Sequence, residues 1–454
     1  MGKSYPLTPK KVKKIETKYR RIVTEIPVPD SIPILEKLRE FEPRSMSGQP
    51  LVIWDRAEGI NVYDKYGNMW LDFSSGVLVA NSGHSNPFVL EEIRKVLEKP
   101  LLHNYCFPSE IRKSLVEKIS ALSPEPLKKV FLLTTGSETV ECAIKLSRTW
   151  GKPKNKKVII SFEGAFHGRT LGSQMVGGIP ALKEWIPNPD PDIYQVPFPG
   201  DPRCKDKSFS LFEKKIEEYG INPKQVCAVI TETYQGGNAS FMPEEYAKDL
   251  RRWCDENEVL LIFDEIQAGF GRTGTFWGFQ HYGVLPDLFC LGKGISSSLP
   301  ISAVVGRKEI MDLYDPGTMT STHTGNPLCC AAALGNIRFI EENRLYENAE
   351  KMGKVFEKRL NQLKEKYKVV GFVCGKGLVW GLHIVKEGTE EPDPDLAFEI
   401  VGRCVEKGLL FFAPVGFGGG TIKICPPLII NQEAIEEGCD VIDESIKEVL
   451  EEWK

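Results

Sequence analysis

The chain has 454 residues, 41% hydrophobic and 26% charged, the composition of a globular protein with a substantial core that is too long for one small domain. A formal net charge of -4 excludes a global electrostatic pull toward nucleic acid or an anionic membrane, and no block of like charge suggests a local one. Its twelve cysteines form no C-x-x-C and no Cys/His array at zinc spacing, so they read as reduced thiols of a cytoplasmic protein with no metal site.

In chain order, residues 1–45 are basic and then Pro-punctuated (PVPDSIP), which predicts an N-terminal arm with one short helix. The opening MGKSYPLTPKKVKK lacks the apolar stretch of a secretory signal, and Pro6 stands where myristoylation needs Ser or Thr. Two strand-like pieces, VIWDRAEG and INVYDKYGN, follow, with turn chemistry at Gly67-Asn68. Residues 1–85 are thus expected to form the arm and part of a smaller domain.

From residue 86 to 335 the pattern changes. Helices predicted over 87–98, 109–122, 138–150 and 244–256 alternate with VFLLTT, KVIISF, VCAVITE, VLLIFDE and DLFCLGK. Continuous apolar runs of this length between helices predict parallel strands covered on both faces, an α/β domain. The last segment, 336–454, holds the rest of a long helical stretch (331–367), GFVCGKGLVWGLHIV, a helix near 395–407, TIKICPPLII and an amphipathic helix over 432–453. It reads as a smaller α+β domain. All apolar runs are strand-sized, too short to span a membrane.

The polar residues that stand out lie at the carboxyl ends of the predicted strands. Thr135-Gly136-Ser137 follows VFLLT, Phe166-His167 follows VIISFEGA, Glu232 ends VCAVIT, Asp264 ends VLLIF and Lys293 ends LFCLG. Ligands of parallel α/β sheets bind outside those ends, so the five groups should converge on one crevice. VLLIFDE resembles a Walker B strand, but no P-loop accompanies it: Asp287 stands where the first glycine would be, and Gly294 follows Lys293. GFGRTG at 269–274 matches G-x-G-x-x-G, yet TFWGFQHYG follows where a dinucleotide fold needs a helix.

What fits is an electron sink. A lysine among apolar residues can hold an aldehyde cofactor as an imine, because desolvation lowers its pKa and exposes the lone pair. Asp264 can pair with a protonated ring nitrogen, Phe166 can cover a ring face, and TTGSE opening a helix offers N–H groups to a phosphate. These are the demands of pyridoxal 5′-phosphate (PLP).

FDEIQAGFGRTG, the strand-ending Lys293, FEGAFHGRT and STHTGNPLCCAA together resemble the class III, or ω-, aminotransferases of PLP fold type I, which include ornithine and 4-aminobutyrate aminotransferases. The resemblance spans about residues 45–450, in the family's order. It implies a large domain with a mainly parallel seven-stranded sheet between helices, and a smaller α+β domain built from both terminal segments.

The resemblance also implies roles. Lys293 would form the imine and shuttle a proton, Asp264 would pair with the pyridine nitrogen, and Gln267 would bond the ring's phenolic oxygen. Gly136 and Ser137 would cradle the phosphate, Phe166 would stack, and His167 and Glu232 would lie near the ring. Thr322 would reach the phosphate of the other subunit of a homodimer. Arg169 would hold a substrate's distal carboxylate.

Two positions depart from the family pattern. Where glutamate-using members carry EPVQGEGG, this chain reads ETYQGGNAS, with Gly237 at the second glutamate; where an arginine usually precedes the PPL motif, it has Lys423. In the family those two residues can form a switchable ion pair, so the substrate-sorting half of the site differs here. The expected activity is transfer of an amino group from an ω-amino acid, amine or amino acid to a keto acid. The alternative is an amino-acid racemase or epimerase on the same scaffold.

Overall fold

A computed structural model describes residues 3–453; Met1 and Gly2, where the basic arm begins, and Lys454 lie outside the described residues. The chain divides into two compact units, one of residues 87–347 and one of residues up to 86 together with those from 348 onward.

The 87–347 unit is built on seven strands: β1 (Leu127–Leu133), β2 (Val158–Phe162), β3 (Ile193–Val196), β4 (Val226–Glu232), β5 (Leu260–Asp264), β6 (Leu288–Leu291) and β7 (Ser302–Arg307). Their spatial order is β1-β7-β6-β5-β4-β2-β3. β7 runs antiparallel to both neighbours, and the pairs from β6 to β3 are parallel. The fold is therefore α/β with a mixed, mostly parallel sheet. All five apolar runs become strands; β4 and β5 are buried along their whole length, as strands covered on both faces must be. β3 carries the weaker pattern IYQV with half-buried residues, because it lies at the sheet edge.

Helix Gly136–Gly151 places Val140, Ala143 and Leu146 in the same core cluster as Ile230, Ile262 and Cys290 of the sheet, the 3.6-residue period turned inward. The single helical stretch expected over 331–367 is instead two helices, Pro327–Glu342 and Leu345–Lys366. They break at Asn343, a C-cap, and Arg344, whose φ of 47° cannot continue a right-handed helix.

The other unit contains the helix of the arm (Ile32–Phe41) and a small sheet of Ile15–Glu16, Arg21–Ile22, Arg56–Glu58, Asn61–Tyr63 and Met69–Asp72, with Leu409–Leu410 added in parallel to the last. A second, antiparallel sheet joins Val370–Lys376, Val379–Ile384 and Thr421–Ile424; helices Pro394–Glu406 and Gln432–Glu452 complete the unit. In it Ser75, Gly76, Val77 and Leu78 all have positive φ, from 49° to 65°. That left-handed turn is held by Ser74 Oγ, which accepts from Gly76 N–H, and by Ser75 Oγ, which donates to the Cys425 carbonyl. Among the described residues no helix is long and apolar enough to cross a membrane.

Candidate active site

Asp264 closes β5 and Glu232 closes β4, and the two are partners in the parallel register. Lys293 follows β6 by two residues. Its φ is 42°, in a left-handed region that costs a non-glycine residue energy and persists where the surroundings impose it. Gly292, just before it, packs close to Ile266: an added Cβ would sit 3.2 Å from Ile266 Cγ2.

β1 leads into the helix that starts at Gly136. Thr135 Oγ1 accepts from Glu138 N–H, and the Glu138 carboxylate accepts from the Thr134 and Thr135 N–H groups, a reciprocal capping box. The N–H groups of Gly136 and Ser137 then stand at the positive helix end with no acceptor inside the helix. Gly136 has no room for a side chain, since a Cβ would lie 2.9 Å from Ile266 Cδ1.

The loop after β2 carries Phe166, His167, Gly168 and Arg169. One Glu232 oxygen accepts from Phe166 N–H and the other from Gly236 N–H, both at 2.9 Å. His167 Nδ1 lies 2.8 Å from Asp264 Oδ2, while Asp264 Oδ1 accepts from Ile266 N–H at 3.0 Å. His167, Asp264 and Glu232 are all buried. Burial opposes a proton on His167, but the hydrogen bond and charge of Asp264, aided by Glu232, outweigh it and raise its pKa. Burial is also the main influence on Glu232, whose carboxyl is raised despite His167 and the two N–H donors. Gly236 leaves space for the Gln267 amide, which a Cβ there would strike.

One cleft gathers these groups: it is lined by Thr135, Gly136, Ser137, Phe166, His167, Gly168, Arg169, Glu232, Asp264, Ile266, Gln267 and Lys293. All the residues singled out at strand ends therefore meet, as do Gln267 and Arg169. Thr322 does not line the cleft; it is exposed in the segment between β7 and helix Pro327–Glu342. Lys423 is buried on strand Thr421–Ile424 of the other unit. Ile266 was not foreseen, since an apolar residue beside an apolar run carries no signal of its own. Nor was the His167–Asp264 pairing.

The donor set suits a phosphorylated pyridine aldehyde. It offers one lysine, one carboxylate for a ring nitrogen, one amide, and a helix start freed of side chain at Gly136 for a phosphate. Among the described residues, no group of His, Cys, Asp or Glu could hold a metal ion.

Comparison with known proteins agrees. The sequence model of the family described as aminotransferase class-III matches residues 44–446. A 4-aminobutyrate aminotransferase of Mycobacterium leprae is 33% identical over 93% of this chain and 97% of its own length. An alanine/serine racemase of Pyrococcus horikoshii is 32% identical over 95% of this chain and 94% of its own. Among solved structures, a PLP-bound amine transaminase from an uncultivated Pseudomonas species superposes with a TM-score of 0.81 at 27% identity, over 90% of this chain and 96% of that one.

Proposed function

As this chain belongs to the class III aminotransferase family and is a PLP-dependent aminotransferase acting between an amino donor and a keto acid, we propose that Lys293 carries the cofactor and that the preferred donor is an amine with a carboxylate at its far end. The observation that supports this is the convergence of Lys293, Asp264, Gln267 and the Gly136 helix start on one cleft, with Arg169 at its exposed side. When bound, PLP supplies an electron sink for charge released at the carbon bearing the amino group.

The chain's own residues do the rest. Asp264, kept in place by His167 and the Ile266 N–H, holds a negative charge where a ring N–H would be favoured. Gln267 presents its amide beside Gly236. Ser137 and Gly136 offer N–H groups to the phosphate, and Glu232 fixes the loop that carries Phe166. Lys293 would hold the cofactor's aldehyde carbon and is the amine placed to move the proton at the substrate's reacting carbon. Arg169 takes the distal carboxylate with its planar fork.

The test is a half-reaction of the PLP form with 4-aminobutyrate. Conversion of the cofactor to its amine form with release of an aldehyde supports the reading, and a PLP-loaded protein inert to every amine tried would overturn it. Racemisation is the second reading, favoured by the racemase of nearly full-length similarity. Loss of optical activity from L-alanine without keto-acid formation would mark it. We further propose a cytoplasmic homodimer in which Thr322 completes the partner's phosphate site; light scattering and the activity of Thr322→Ala test this.

A further inference from the structure

Helix Gly136–Gly151 does more than start at the cleft. Ser137 and Glu141 lie four residues apart, one above the other on a single helix face. Ser137 Oγ accepts from the Arg169 N–H at 3.1 Å. Glu141 Oε1 accepts twice from the next turn of chain, from Thr170 Oγ1 at 2.6 Å and from Ser173 N–H at 3.0 Å. Thr170 and Ser173 are themselves linked, the Thr170 N–H donating to Ser173 Oγ at 3.1 Å.

The strip 168–173 is pressed onto that face with no slack. Gly168 has φ 135°, and a Cβ there would run into Ser137 Oγ and sit 2.6 Å from Ser173 Oγ. A Cβ on Gly172 would run into the Glu141 carboxylate. Two glycines thus let the backbone on either side of Arg169 and Thr170 lie against the helix. The Arg169 side chain itself stays exposed and lines the cleft, its guanidinium carbon 5.8 Å from the Phe166 ring centre.

We propose that Glu141 is a positioning residue that selects carboxylate-bearing substrates by fixing the backbone from which Arg169 reaches into the cleft. A guanidinium grips a carboxylate through two parallel N–H bonds, so its usefulness depends on where its stem begins. Glu141 reaches that stem through Thr170 and Ser173 and touches no reacting atom. The proposal rests on the reading of Arg169 as the carboxylate-binding residue.

The experiment compares 4-aminobutyrate with n-butylamine, an amine of equal chain length lacking the carboxylate, as donors to the PLP holoenzyme. Glu141→Ala should lower kcat/KM for 4-aminobutyrate about tenfold or more, through KM, and change that for n-butylamine by less than about threefold. Glu141→Gln, which keeps an acceptor at Oε1, should recover most of the loss. Hydrogen exchange of residues 168–176 should quicken about tenfold in Glu141→Ala and little in Glu141→Gln.

Equal losses for both donors, unchanged exchange, or no loss at all would overturn the proposal. Arg169→Ala separates the two layers. If it spares 4-aminobutyrate, the reading of Arg169 fails and takes the proposal with it. If it discriminates between the donors while Glu141→Ala does not, the proposal alone fails.

Discussion

Replacing His167 by Phe tests the buried pair behind the cleft. The substitution keeps a planar ring of similar size but removes the Nδ1 group 2.8 Å from Asp264 Oδ2, leaving the carboxylate its bond from Ile266 N–H. A hydrogen bond to a charged group contributes about 1.5–3 kcal/mol, and stranding one partner of a buried pair costs about 3–5 kcal/mol. A loss of about 3 kcal/mol is therefore expected for the cofactor-free protein near pH 6, or about 6 °C in Tm for a unit of this size. The loss should depend on pH. Because Asp264 and Glu232 raise the folded-state pKa of His167 above its ordinary 6.5, the charged pair contributes fully below pH 6.5 and fades as pH rises through the folded-state value. At pH 9 a neutral imidazole still donates one N–H, worth about 1 kcal/mol. Thermal melts of wild type and His167→Phe at pH 6 and pH 9 measure both numbers. A Tm difference that is the same at the two pH values, or larger at pH 9, would refute the reasoning.

Lys293→Ala should abolish turnover and the visible band of the lysine-bound cofactor while PLP still binds through its phosphate; borohydride fixation of PLP to the variant would show that another lysine serves. Glu265 is fully buried, and burial pushes its carboxyl up to about 7 although Thr233 Oγ1 and the Gly278 and Phe279 N–H groups donate to it. The folded state thus holds that proton more tightly than the unfolded chain, so the contribution stands below pH 4.5 and is lost by pH 7, about 3 kcal/mol in all. Glu265→Gln should remove that part of the pH dependence, and an unchanged slope counts against the assignment. Val77 is exposed at φ 65°, where a side chain costs about 1–2 kcal/mol, against about 0.5–1 kcal/mol for the extra freedom of an unfolded glycine. Val77→Gly should leave Tm level or slightly raised, and a clear drop in a melting curve would sink that account.

Much of this was legible in the residues alone. Lys293 and Asp264 stand out because each is a charge at the end of an apolar run, and the α/β rule sends such ends to one crevice. The pairing of His167 with Asp264 was not legible, since 97 residues separate them and only the loop after β2 brings them together. The Glu232–Asp264 adjacency likewise depends on β4 lying beside β5, an order that sequence pattern does not encode. Glu141 gave no sign at all, because on a solvent-facing helix pattern a glutamate is the expected residue and its partners arrive from 29 and 32 residues away. The break at Asn343–Arg344 was hidden because polar residues on both sides keep a helical period across it.

The two departures from the family pattern, Gly237 and Lys423, carry an expectation about the keto acid. A lysine is a flexible point charge where an arginine would clamp a carboxylate with two parallel bonds, so Lys423 in the arginine's place should orient an α-carboxylate less firmly. Gly237, in the place of the family's second glutamate, brings no charge to neutralise a cation when an uncharged side chain is bound. 2-Oxoglutarate has two carboxylates to be held at once, whereas pyruvate has one. Pyruvate is therefore expected to be handled at least as well as 2-oxoglutarate. The measurement is kcat/KM for each acceptor with one common amine donor. A preference for 2-oxoglutarate of about tenfold or more, equivalent to about 1.4 kcal/mol of transition-state binding, would mean that other residues grip the second carboxylate.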